Sequence, residues 1–184
     1  IGDDNEAVGT LAATALVDRL TAPGRILLIT GSQGDTAARE RLQSAVAVLK
    51  AESGLSILYQ TELFEQTPEE LLRLLALYPG VNGILCLTQE STETAAKTMG
   101  RLTGDICLVG MDCGQNRTTY LENRQVDAMV LGMPYAMGYL GVQYAAAALN
   151  GEDIPAWYHT ESRVIDLSNM YLPENQKLAF PILQ

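Results

Sequence analysis

An α/β fold, a parallel sheet with helices on both faces, is predicted for this chain by three features. Segments with helical spacing alternate about five times with short apolar runs. Glycine, proline and capping residues keep the connections between them short. The apolar runs show no polar alternation, as strands covered on both sides require. Helix and strand alternating in this way specify parallel strands joined by right-handed crossovers.

The elements follow in order. Residues 6–21 have Val8, Leu11, Ala15 and Leu16 on one helical stripe, stopped by Pro23-Gly24. Arg25–Thr30 is an apolar strand, and Gly31-Ser-Gln-Gly34 turns into a helix capped by Asp35 or Thr36 that runs to about Glu52. Leu55–Gln60 is the next strand. Thr67-Pro68-Glu69-Glu70 is a capping box with proline at the first helical position. Its helix carries Leu71, Leu72, Leu74, Leu75 and Leu77 on a broad apolar face. Then come a strand over 81–87, a helix over 90–101, a strand over 106–110 and a short helix over 116–123. A strand over 127–131 and a helix over 135–149 follow, the latter ended by Asn150-Gly151. The last 20 residues lose the alternation and read as an extended tail.

With 47% hydrophobic and 18% charged residues in 184, a sizeable core can form. The formal net charge of −10 disfavours nucleic acid and anionic lipid as partners. One histidine, His159, removes most nucleophilic triads, and no C-x-x-C pair suggests zinc. Cys86 and Cys107 lie in apolar runs and read as buried free thiols; Cys113 is the one reactive-thiol candidate, with no histidine in sequence reach. Nothing points to an enzyme, a metal or a cofactor. No apolar stretch approaches the roughly 18 residues of a membrane span. The chain starts Ile1-Gly2-Asp3-Asp4-Asn5, without methionine, and is expected to be a piece of something longer.

In such a sheet, ligands sit beyond the carboxyl ends of the strands. The stretches that matter are therefore 31–39, 62–66, 88–90 and 111–115. Gly31-Ser-Gln-Gly-Asp-Thr36 lacks the lysine of a phosphate loop, and Asp35 would repel a phosphate. The Met129, Met133 and Met137 series reads as core or interface filling.

Four stretches carry a family resemblance: Asp4-Asn5 with Gly9; Thr36-Ala-Ala-Arg-Glu-Arg41; Val109-Gly-Met-Asp112; and Met133-Pro-Tyr-Ala-Met-Gly138 through Leu149-Asn-Gly-Glu152. They resemble, in order over roughly residues 1–165, the ribose-binding-like sugar receptors among the type 1 periplasmic binding proteins, a group shared with lactose-repressor-like regulators. The resemblance implies a two-lobed receptor of which most of the first lobe is absent. Residues 1–131 would be the second lobe, 132–165 a return segment belonging to the missing lobe, and 166–184 a tail crossing back.

By the same resemblance, Arg39 would donate to ring oxygen and hydroxyls, Phe64 would stack on the sugar, and Asp112 would accept from two adjacent hydroxyls. Two positions depart from the family pattern: Thr88 stands where an asparagine is common, and Gly132 where a glutamine or asparagine is. The implied function is a solute receptor outside the cell, periplasmic or lipid-anchored, handing a sugar-like ligand to the membrane permease of an ABC transporter. The alternative is the cytoplasmic effector-binding core of a regulator, with no direct nucleic-acid contact from this segment. Without its lobe, helix 134–150 would leave Met133, Tyr135, Met137, Leu140, Val142 and Tyr144 uncovered, and the isolated piece is expected to self-associate there.

Overall fold

Each strand of the main sheet alternates its side chains between two apolar layers, and that alternation organises the domain. The computed structural model describes residues 1–20, 23–31, 35–62, 67–102 and 105–180, with the side chains of Tyr59, Gln60 and Glu62 not described. Six strands form the sheet: β2 (Gly24–Thr30), β3 (Leu55–Glu62), β4 (Gly83–Cys86), β5 (Cys107–Met111), β6 (Ala128–Leu131) and β8 (Arg163–Asp166). Their order is β3-β2-β4-β5-β6-β8. All neighbours are parallel except β6 and β8.

Ile26, Leu28, Leu85, Leu87, Val109, Met111, Ala128 and Val130 face one layer, under α1 (Asn5–Val17) and α2 (Thr36–Ala51). Leu27, Ile29, Ile84, Cys86, Leu108, Met129 and Leu131 face the other, under α3 (Pro68–Leu77), α4 (Gln89–Met99) and α5 (Arg117–Glu122). Strands buried on both faces explain why the sequence shows continuous apolar runs. The two helices of the first layer approach closely: a Cβ added at Gly9 would lie 2.2 Å from the Arg41 carbonyl oxygen. The Thr67 hydroxyl caps α3 by accepting from the Glu70 N–H at 3.2 Å, as its capping box predicts.

The predicted helices and strands appear within a few residues of their expected places, with two differences. As far as Phe180, the tail is not an extended one. Residues 163–166 form β8, antiparallel on the sheet edge beside β6, and Met170, Leu178 and Ala179 are buried in the second layer. A boundary at 165 thus cuts a strand that belongs to this sheet. The resemblance implies a strand near 158–165 as part of the return to the missing lobe; β8, four residues long, instead pairs within this sheet, a partner that no local period names. The second difference is a separate two-stranded pairing of β1 (Gly2–Asp3) with β7 (His159–Thr160).

One helix stands apart. In α6 (Pro134–Leu149) no residue is buried, and Tyr135, Tyr139, Val142 and Leu149 are exposed. Two residues expected to be uncovered are in part engaged: Met133 packs on the second layer, and the Tyr144 ring meets Tyr158 edge to face at 5.9 Å. No helix among the described residues is long and apolar enough to cross a membrane.

Candidate functional site

The carboxyl ends of β2, β4, β5 and β6 lie side by side because the strands are parallel and in register, with Met111 opposite Val130 on the last pair. Asp112 and Gly132 therefore follow neighbouring strands, which lie about 4.8 Å apart. Thr88 follows β4 by the same logic, and Arg39 comes from the first turn of α2, which starts past β2.

Asp112 is the most firmly built of these. Its Oδ2 accepts from Arg117 Nη2 at 2.8 Å and its Oδ1 from the Gly114 N–H at 2.9 Å. Arg117 is itself held by two carbonyl acceptors, its Nε donating to Gly114 at 2.7 Å and its Nη1 to Leu178 at 2.6 Å. Burial pushes the Asp112 carboxyl above its ordinary value, against the pull of the Arg117 guanidinium and the N–H groups of Gly114 and Cys113. A carboxylate has about four acceptor positions. The donors from Arg117, Gly114 and Cys113 do not fill them all, so Asp112 keeps capacity for ligand hydroxyls.

Arg39 is exposed, and its Nη2 donates to Thr36 Oγ1 at 3.2 Å within its own turn. Its remaining donors are given no acceptor among the described residues. Thr88 is differently employed. Its hydroxyl caps α4, accepting from the Ser91 N–H at 3.2 Å and pairing with Ser91 Oγ at 2.8 Å. The Thr92 hydroxyl donates to the Thr88 carbonyl at 2.7 Å and accepts from the Met111 N–H at 2.9 Å, tying α4 to β5 just below Asp112. Gly132 brings no side chain, and Phe64 lies outside the described residues. Structure thus sets Asp112, Thr88 and Gly132 along one row of strand ends, with Thr88 already serving the fold.

Two residues escaped the sequence reading. Arg117 fixes Asp112, and five-residue spacing across a loop gives no periodic signal. Asp3 sits against Gly132, close enough that a Cβ at 132 would meet its Oδ1 at 2.8 Å; the bare glycine was the available sign. A cavity of about 450 Å³ opens beside it, lined by Asp3, Asp4, Asn5, Glu40, Trp157 and His159 among others. A larger one, about 670 Å³, lies at the opposite end of the strands around Arg19, Cys107, Arg124 and Asp166, away from the ligand-binding end of a parallel sheet. The three thiols are free; Cys86 and Cys113 are buried, and burial pushes the Cys86 and Cys107 thiols up to about 12 and Cys113 up as well. Cys113 is no reactive thiol. Among the described residues no group of acidic, histidine and cysteine side chains is arranged to hold a metal.

Comparison with known proteins places this architecture. The ribose import binding protein of Salmonella typhimurium is 23% identical over 170 residues, covering 90% of this chain and 57% of its own length. The D-allose-binding periplasmic protein of Escherichia coli is 26% identical over 176 residues, covering 89% and 55%. The chain thus spans little more than half the length of these curated relatives. Among solved structures, GanP, a glucose-galactose binding protein from Geobacillus stearothermophilus, superposes with a TM-score of 0.84 at 26% identity, over 92% of this chain and 62% of that one. A carbohydrate transporter solute binding protein from Agrobacterium radiobacter, in complex with D-arabinose, shares the fold with a TM-score of 0.87 at 20% identity, over 96% and 64%. The model of the periplasmic binding protein domain matches residues 1–153, and the chain belongs to that family.

Proposed function

We propose that this chain is the second lobe of an extracytoplasmic sugar receptor that delivers its ligand to the permease of an ABC transporter. The observation that carries the reading is Asp112. A half-buried carboxylate at the end of β5, oriented by Arg117 and left with free acceptor positions, suits two adjacent sugar hydroxyls. Arg39 would supply forked donors from the start of α2, and Phe64 a stacking face. Thr88 supports the loop through its capping bonds, its carbonyl being taken up by Ser91 and Thr92. The relatives named above include a ribose import binding protein and a D-allose-binding periplasmic protein, which favours this reading over a regulator core.

The bare helix α6 supports a companion lobe: an apolar helix with no buried residue needs cover. In this reading residues 1–131 form the second lobe, and the segment from Gly132 to Ser162 runs along the other lobe before β8 returns. Ligand binding then closes the two lobes about the segments joining them.

Calorimetric titration of the full-length gene product with D-ribose, D-allose, D-galactose and D-glucose tests this. One of them should bind, and Arg39→Ala and Asp112→Ala should each weaken it by about 2–4 kcal/mol. Wild-type affinity in both variants would overturn the site.

A further inference from the structure

Gly132 is not required by its backbone. The glycines held at positive φ are Gly54, Gly80, Gly114 and Gly151, and Gly132 is not one of them. What the position lacks is room. A Cβ there would stand 2.8 Å from Asp3 Oδ1, 3.1 Å from Oδ2 and 3.3 Å from Cγ, nearer than side-chain atoms pack. A side chain at 132 would have to push the Asp3 carboxylate from where it stands. The end of β6 is therefore occupied after all, by a carboxylate carried in from β1.

We infer that Asp3 is a ligand-binding, specificity-determining residue, whose carboxylate stands in at the end of β6 for the side chain that Gly132 lacks and accepts a hydrogen bond from a ligand hydroxyl. This rests on the receptor reading above. Pairing of β1 with β7 sets Asp3 opposite Thr160 and fixes its backbone. Two hydroxyls orient the side chain, Thr160 Oγ1 donating to Oδ1 at 3.3 Å and Ser162 Oγ at 3.4 Å. Both contacts are long and both fall on Oδ1. Among the described residues, Oδ2 has no donor, and Asp3 has no cationic partner. Partial burial makes an acceptor short of donors receptive to a ligand that supplies them.

The consequence is chemical. An amide both donates and accepts, whereas an ionised carboxylate only accepts. With Asp112 one strand over, two acceptor-only groups occupy neighbouring strand ends. The ligand must therefore present a donating hydroxyl, or an ammonium group, to each. A ligand whose group at the Asp3 end is an ether oxygen or a ring carbon gains nothing from it.

The test is calorimetry on the full-length gene product, using whichever of D-ribose, D-allose, D-galactose or D-glucose binds most tightly and its monodeoxy analogues. Asp3→Asn should weaken the parent sugar roughly tenfold to a hundredfold, the range of one hydrogen bond to a charged group. One deoxy analogue should bind wild type and Asp3→Asn alike, because it lacks the hydroxyl concerned. A purely structural Asp3 would instead lower every analogue by the same factor, and that overturns the inference. A second pair guards against misfolding. Gly132→Ala should weaken binding in the native background and have little effect when combined with Asp3→Gly, since the added methyl then displaces nothing. Equal effects of Gly132→Ala in the two backgrounds also overturn it. If wild type binds a sugar and Asp3→Asn binds it equally well, the inference fails alone. If wild type binds none of the four sugars, the receptor reading fails and takes this inference with it.

Discussion

Helices α1 and α6 are near twins in composition and opposites in burial. Both are apolar almost all round, α1 as NEAVGTLAATALV and α6 as PYAMGYLGVQYAAAAL. In α1, Val8, Gly9, Ala12, Ala13, Ala15 and Leu16 are buried against α2 and the sheet; in α6 nothing is. Composition makes a helix fit for burial, but only a neighbour buries it. The difference marks the surface that the proposed companion lobe would cover. It also explains the absence of a polar face on α6, since a helix meant for water would carry one.

The comparison can be broken most directly by truncation. Leu16→Ala, at a fully buried position, should cost about 2–5 kcal/mol in urea unfolding, the price of a core cavity. Val142→Ala, at a position 73% exposed, should cost less than about 0.5 kcal/mol in the 184-residue chain. Comparable losses would mean that α6 is covered after all.

At the ligand end, Arg117→Ala should cost about 2–3 kcal/mol at pH 7, because it leaves the half-buried Asp112 carboxylate without its cation. Asp112 titrates above its ordinary 3.8 when folded, so its ionisation opposes folding, and the opposition is relieved as pH falls through that raised value. Removing Arg117 raises the folded value further. The loss should therefore shrink between pH 7 and pH 4; an equal loss at both would show that Arg117 acts only through its bonds to Gly114 and Leu178.

Sedimentation sharpens the contrast from the other side. The 184-residue chain should self-associate with rising concentration, and Val142→Lys should shift it toward monomer. A monomer at high concentration would count against an adhesive α6. The smallest effect concerns the thiols. At neutral pH, Cys86 and Cys113 should resist alkylation until the chain unfolds, because they are buried and their thiolates disfavoured. Fast labelling of Cys113 would show that the loop after β5 opens in the native state.

Legible in the residues alone were the alternation of helix and strand, the parallel core, the capping of α3 by Thr67 and the strand-end loops where Asp112, Thr88 and Gly132 lie. Those are local signals: apolar runs, caps and breakers are written within a few neighbouring residues. Resemblance of short stretches carried the family expectation. The features that emerged on folding involve residues far apart in the chain. The β8 strand pairs with β6 across more than thirty residues, and no local pattern names that partner. Arg117 holds both Asp112 and the carbonyl of Leu178, 61 residues away. Asp3 meets Gly132 across 129 positions, because pairing with β7 brings the start of the chain to the end of β6. A glycine in a sequence marks a need for space or for an unusual backbone without saying which; here the folded chain answers with a carboxylate.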